Sequence, residues 1–178
     1  PRSKFLIALN NLFKNDDTLF IGTTGNTARE MYSFMKDTNN FYMAGNMGGA
    51  LSLGLGAAKT GKRVVVCGGD AEFVMHMGGI CTAGRYKDEI DLTYILFDNE
   101  SNKSTGGQNT YQSHINYIAI TKACGFNVSE DIVYNIEELE QKIKNAIPFK
   151  NNSSEKKINF LYILKFFKKK NKISCRFF

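Results

Sequence analysis

Two nearly uninterrupted apolar runs, Val64-Val-Val-Cys67 and Leu92-Thr-Tyr-Ile-Leu-Phe97, constrain this chain more than any other feature. A strand with one wet face alternates apolar and polar residues, so runs of this kind belong to strands buried on both faces. Between them, Phe73 to Tyr86 carries a helical pattern. Strand, helix and strand make the crossover that joins parallel neighbours. The sequence therefore predicts an α/β fold, a parallel sheet with helices on both faces.

The alternation continues in both directions. Phe5 to Phe13 predicts a helix, and Thr18 to Ile21 a short strand ending at Gly22. Asn26 or Thr27, each near capping-box spacing from Glu30, opens a helix with Met31, Phe34 and Met35 on one face. Phe41-Tyr-Met43 is a further short strand, and the small-residue run from Gly48 to Ala58 reads as a helix packed closely on the sheet. His114 to Cys124 predicts a helix that ends at Gly125. Asn135, with Glu138 three residues on, opens the clearest helix: Ile136, Leu139, Ile143 and Ile147 share a face, and Pro148 stops it. Asn151-Asn-Ser-Ser154 is a polar break, and Ile158 to Phe167 reads as a last strand. The expected division is one domain over 1–149 and a Lys-rich tail over 150–178 that carries this strand.

Charge and composition exclude several classes. The net charge is +6, but residues 150–178 hold nine Lys/Arg against one Glu, leaving residues 1–149 with fourteen against sixteen. A nucleic-acid-binding body would carry the positive charge itself, so no nucleic-acid partner is expected. No apolar stretch approaches the roughly 18 residues of a membrane span. Four well-separated cysteines and two histidines give neither a zinc pattern nor a disulfide framework. A reducing, cytoplasmic setting fits them. The chain opens on Pro1-Arg2-Ser3, without an initiator Met, a signal or a transit pattern, and reads as part of something longer.

In doubly covered parallel sheets, ligands bind beyond the carboxyl ends of the strands. The segments there are 23–27, 44–49, 68–72 and 98–108, all rich in Gly, Asn, Asp, Ser and Thr. A phosphate loop at Gly56–Lys62 fails, because Arg63 stands where Ser/Thr is needed and the order is helix before strand. The dinucleotide pattern fails too, with Lys59 in place of the last glycine. Asp70 and Asn99 each follow a buried strand, 29 positions apart. On neighbouring strands they would share one edge, and a carboxylate with an amide oxygen suits Mg²⁺ beside phosphate oxygens. The glycines before Asp70 and the amides after it suit an anion. Equally, Asp70 could cap its helix and Asn99 could turn a loop.

Gly69-Asp70 followed by Asp98-Asn99 resembles the metal motif of thiamine diphosphate enzymes, GDG and then NN some 25–30 residues later. Thr23–Glu30, Gly45-Asn-Met-Gly48, Met75-His-Met-Gly78 and Ser104–Thr110 extend the similarity to phosphonopyruvate decarboxylases, over roughly residues 3–147. Sulfopyruvate decarboxylase is a close relative, and splits its two domains onto separate chains. The resemblance implies the diphosphate-domain fold, with thiamine diphosphate and Mg²⁺ as cofactors. Asp70, Asn99 and the carbonyl near Ser101 would hold the metal. Gly25, Asn26, Gly69 and the amides of Ala71 and Glu72 would cradle the diphosphate. The Gly45 carbonyl would accept from the cofactor's 4′-amino group, and Met47 would support the bent cofactor from below. The implied reaction is decarboxylation of a short anionic 2-keto acid, phosphonopyruvate giving phosphonoacetaldehyde and CO₂. An alternative is a non-catalytic module that keeps the fold.

Two positions depart from the pattern. Ala71 replaces the second glycine of GDG, at a cost if φ there is positive. Asp98 replaces the first Asn of NN and adds negative charge. The family also uses a glutamate from a separate pyrimidine-binding domain, and no stretch here is long enough to be one. The expected partner is therefore a pyrimidine-binding domain or subunit supplying that glutamate, in a homo- or hetero-oligomer. His76 is a candidate catalytic group near the substrate anion, or a structural hydrogen-bonder. Lys103 is a candidate phosphonate contact or a solvated lysine, and Met47 could instead be one more core methionine.

Overall fold

In a computed structural model, which describes residues 1–146 and 159–165, the two apolar runs lie side by side as parallel strands. The chain runs α1 (Arg2–Leu12), β1 (Leu19–Gly22), α2 (Asn26–Phe34), β2 (Asn39–Tyr42), α3 (Ala50–Ala58), β3 (Val64–Gly69), α4 (Asp70–Met75) and α5 (Met77–Arg85). It continues with β4 (Leu92–Asp98), the hairpin β5 (Ser101–Asn102) and β6 (Gln108–Asn109), α6 (Tyr117–Ala123), β7 (Asn127–Val128), α7 (Ile136–Ala146) and β8 (Asn159–Lys165). Six strands form a sheet in the order β2-β1-β3-β4-β8-β7, every pair parallel.

The unbroken hydrophobicity of β3 and β4 has a direct cause. Successive side chains point to opposite faces, and both faces are covered. Val64, Val66, Leu92, Tyr94 and Leu96 pack with Ala50, Leu51 and Ala58 of α3 and Ile80 and Ala83 of α5. Val65, Cys67, Ile95 and Phe97 pack with Phe5, Leu6 and Leu9 of α1, Met31 of α2, and Leu139 and Ile143 of α7. The small-residue helix α3 rides close to the sheet as its composition predicts. A Cβ on Gly54 would lie 2.5 Å from Val66 Cγ2, too close for any larger residue.

Several elements differ from the sequence expectation. The stretch 73–86 is two helices, broken at His76, whose φ/ψ of −133/47 is not helical and whose ring is tied to the Gly48 carbonyl. The helix expected from His114 starts at Tyr117, because the Asn116 side chain accepts from the Ala119 N–H (3.0 Å) and fixes the start there. Gly25, at φ +85, is the residue before α2, so Asn26 is its first residue and not its cap. Met31 and Met35 are buried while Phe34 is exposed. Asn135 caps α7 as expected, accepting from the Glu138 N–H at 2.8 Å. Asn159–Lys165, which the sequence reading placed in a tail, is an interior strand between β4 and β7. Ile147, Pro148, the 151–154 break and most of the Lys-rich segment lie outside the described residues.

Register brings the strand ends together. Gly22 pairs with Tyr42 and Cys67, and Gly69 with Phe97. The segments after β1, β3 and β4 therefore leave the sheet along one edge.

Candidate functional site

Along that edge a cleft of about 460 Å³ is open to solvent, within the range of small-molecule sites. Its floor comes from β3 and α4: Gly69, Asp70, Ala71 and Glu72. One wall is Thr23, Thr24, Asn26 and Thr27 after β1, and the other is Asn99, Ser101, Asn102, Lys103 and Ser104 after β4. Met47 from the β2–α3 loop also lines it. Asn26, Met47, Gly69, Asp70, Ala71, Glu72, Asn99 and Ser101, singled out from the sequence, thus meet in one place. Gly25, Gly45 and His76 are not on its lining, although Gly25 adjoins Asn26 and Gly45 lies two residues before Met47.

Asp70 opens α4 but does not cap it. The Glu72 side chain reaches back to the Gly69 N–H (3.3 Å), which leaves the Asp70 carboxylate for other partners. That carboxylate is 4 % exposed and accepts from the Thr110 hydroxyl at 3.0 Å. Burial pushes the Asp70 carboxyl above the usual carboxylate range; Thr110 opposes the shift, and the neighbouring Asp98 charge adds to it. Asp98 is itself buried and accepts from the Glu100 N–H (3.1 Å). The Asn99 side-chain oxygen accepts from the Ser101 N–H (3.0 Å), which holds the amide in place and leaves its second lone pair open.

Burial also raises the Glu72 carboxyl, with the Thr23 hydroxyl and nearby amides working against it. Yet Glu72 Oε1 and Thr23 Oγ1, both buried on this lining, make no well-formed hydrogen bond among the described residues. Ala71 lies within α4, and no positive φ occurs there, so its methyl is accommodated without strain. Gly25, at φ +85, faces Ser104: a Cβ there would meet Ser104 Oγ at 2.3 Å. Only glycine closes the 23–27 turn against the opposite wall.

The β2–α3 loop turns on two glycines in the left-handed region, Gly45 (φ +75) and Gly48 (φ +96), with the half-buried Met47 between them. His76 Nδ1 lies 2.8 Å from the Gly48 carbonyl oxygen, and a Cβ on Gly48 would come within 2.7 Å of His76 Cβ. His76 therefore fastens this loop to the break between α4 and α5. Two lining groups are not signalled locally in the sequence. Arg2 of α1 forks onto Glu30 (2.7 and 3.1 Å) and donates to Thr27 (3.0 Å), contacts 25 to 28 positions away. Thr110 finds Asp70 across 40 positions.

The donors fit a hard divalent ion with phosphate oxygens. One carboxylate, one amide oxygen and backbone carbonyls surround the cleft, and Mg²⁺ commonly takes one or two carboxylates and fills its shell with phosphates and water. Among the described residues no group of three or more His, Cys, Asp or Glu gathers, so a softer-metal cage is not what this edge offers. No helix in the described residues is long and apolar enough to cross a membrane.

Comparisons with known proteins converge on this edge. The family described as thiamine pyrophosphate enzyme, C-terminal TPP binding domain, matches residues 21–158. Phosphonopyruvate decarboxylase of Streptomyces viridochromogenes is 38 % identical over 111 residues, covering 62 % of this chain and 28 % of that protein. Sulfopyruvate decarboxylase subunit beta of Methanothermobacter thermautotrophicus is 40 % identical over 114 residues, covering 64 % and 61 %. The same-named subunit of Methanocaldococcus jannaschii is 33 % identical over 131 residues, covering 72 % and 68 %. The chain thus spans about a quarter of the first relative and three-fifths of the second. A solved structure from Mycobacterium smegmatis, assigned to the thiamin diphosphate-dependent enzymes, superposes with a TM-score of 0.69 over 92 % of this chain and 31 % of its own, at 17 % identity, and shares the fold. With its six parallel strands and a cleft at their carboxyl ends, the chain belongs to the family of C-terminal TPP binding domains of thiamine pyrophosphate enzymes.

Proposed function

We propose that this chain is the cofactor-binding half of a thiamine diphosphate- and Mg²⁺-dependent decarboxylase acting on a short anionic 2-keto acid, with phosphonopyruvate giving phosphonoacetaldehyde and CO₂. The observation that carries the proposal is the convergence of Asp70, Asn99, Ser101, Asn26 and Met47 on one cleft. Asp70, the Asn99 side-chain oxygen and the Ser101 carbonyl would hold Mg²⁺. Gly25, Asn26 and the amides of Ala71 and Glu72 would hold the diphosphate. When bound, thiamine diphosphate supplies a carbon nucleophile and an electron sink for the loss of CO₂. The Gly45 carbonyl would fix the aminopyrimidine, and Met47 would set its inclination. His76 would hold the loop that carries both.

Sulfopyruvate is the alternative substrate, because relatives of both names match at 38–40 % identity. The chain covers 61 % and 68 % of two sulfopyruvate decarboxylase beta subunits against 28 % of a phosphonopyruvate decarboxylase, which favours a partner chain on the sulfopyruvate reading. On either reading the chain alone shows no turnover, since the activating glutamate is not on it. Addition of a pyrimidine-binding domain or subunit restores activity. Assay of the purified chain with both keto acids, with and without that partner, tests this. Full activity of the chain alone would overturn the half-site assignment.

The raised Asp70 carboxyl gives the site a pH signature. Mg²⁺ and a proton compete for this carboxylate, so affinity is constant above its folded-state pKa and falls about tenfold per pH unit below it. Because that pKa is raised, the loss begins at a higher pH than an ordinary Asp would give. Asp98→Asn removes a raising influence and moves the acid limb to lower pH. Thr110→Val removes a lowering one and moves it to higher pH. Calorimetric titration of Mg²⁺–thiamine diphosphate across pH measures both, and shifts of one sign in the two variants would contradict the arrangement.

A further inference from the structure

Away from the cleft, two thiols meet. Cys81 of α5 and Cys124, the residue that ends α6, have their sulfurs 2.9 Å apart. That is about 0.9 Å beyond a disulfide bond of about 2.05 Å. Cys81 is exposed and Cys124 half-buried, whereas Cys67 is fully buried inside β3.

The approach is fixed by backbone rather than by flexible side chains. Gly84 follows Cys81 by three positions, so the two share a face of α5. A Cβ on Gly84 would lie 1.7 Å from the Cys124 carbonyl oxygen. The helix therefore touches the end of α6 directly, and only glycine permits it. Gly125 then turns the chain away at φ +95. This contact holds the Cys81 and Cys124 sulfurs together.

We propose that Cys81 and Cys124 are a redox modification site, closing to an intrachain disulfide by exchange with a low-molecular-weight disulfide. The exposed Cys81 thiolate attacks one sulfur of RSSR, forming a Cys81–SR mixed disulfide and releasing one thiol. The Cys124 thiolate then attacks Cys81 Sγ and releases the second. The protein loses two protons and two electrons, and RSSR becomes two RSH. The Cys124 thiol is pushed up to about 11 by burial and by its neighbour, so the second step quickens as pH rises. The bond would staple α5 to α6, whose Tyr117 packs edge-on against Phe73 of α4 (4.9 Å). The proposal is independent of the decarboxylase reading.

Equilibration of the full-length protein with oxidised and reduced glutathione, followed by alkylation under denaturing conditions and tryptic mapping, tests it. The expected product links peptide 64–85 to peptide 123–142, with Cys67 carrying the alkyl label. The thermal midpoint rises by about 5–10 °C and returns on reduction. Cys124→Ser stops at the Cys81–glutathione adduct. Glutathione persisting on Cys81 with Cys124 free, both thiols remaining free, or a link that uses Cys67 would each overturn the proposal.

Discussion

Asp70→Ala abolishes Mg²⁺-dependent binding of thiamine diphosphate, by at least about 100-fold, while the apo domain stays folded. The expectation rests on what Asp70 does and does not touch. It is buried, its charge is disfavoured by desolvation and by Asp98, and its one side-chain hydrogen bond comes from Thr110. A carboxylate placed so contributes little to folding. Its removal relieves like-charge repulsion and strands one hydroxyl, a loss of about 1 kcal/mol. Net apo stability should therefore change by no more than about 1 kcal/mol. Asp70→Asn separates charge from shape: it keeps an acceptor for Thr110 but not the anion that a divalent cation needs. Calorimetry and thermal melting read the two quantities separately. Binding within threefold of wild type in Asp70→Asn would show that the metal sits elsewhere. Unfolding of both apo variants would show that Asp70 is structural.

How much of this was legible in the sequence depends on how far each contact reaches along the chain. The strands could be read because burial on both faces imposes unbroken apolar runs, as Val64–Cys67 shows. The close helix at Gly48–Ala58 could be read because small residues have few other uses there. The strand ends announced themselves through Gly, Asn, Asp, Ser and Thr, since those residues make the turns and supply the oxygens at a ligand edge. The break at His76 could not be read. Met75-His-Met77 has ordinary helical residues, and the cause is a carbonyl 28 positions away. Thr110 and Arg2 were hidden for the same reason, because their partners are set by topology and not by spacing. Asn26 looked like a cap because its residue type suits one. Gly25 took the position because the turn needs positive φ and a close approach to Ser104. The Cys81–Cys124 pair was likewise invisible, since 43 positions and a glycine contact between helices bring it together.

Met47→Ala lowers turnover of the reconstituted enzyme by about 100-fold and weakens thiamine diphosphate binding, while the apo domain loses only about 0.5–1 kcal/mol. Met47 is half-buried on the cleft lining and is not among the fully buried core residues, which sets it apart from Met31 and Met35. Truncating a core methionine would cost roughly 2–5 kcal/mol whether or not cofactor is present. A side chain on an open cleft has no such packing to lose. Its loop is held from both sides, by the left-handed Gly45 and Gly48 and by the His76 ring on the Gly48 carbonyl. The side chain is thus presented at a fixed height, and a gap of one or two ångströms beneath the aminopyrimidine would remove it from reacting distance. Met47→Leu, similar in volume and apolar, stays close to wild type in both assays. His76→Ala, which frees the loop without touching the cleft lining, lowers turnover in the same direction but less, and Met47→Ala adds little on top of it if the two act through one support. Stability of the apo protein, cofactor affinity and turnover are measured on each variant. A Met47→Ala protein that melts early yet is fully active in its folded fraction would place Met47 in the core and end its role as a support.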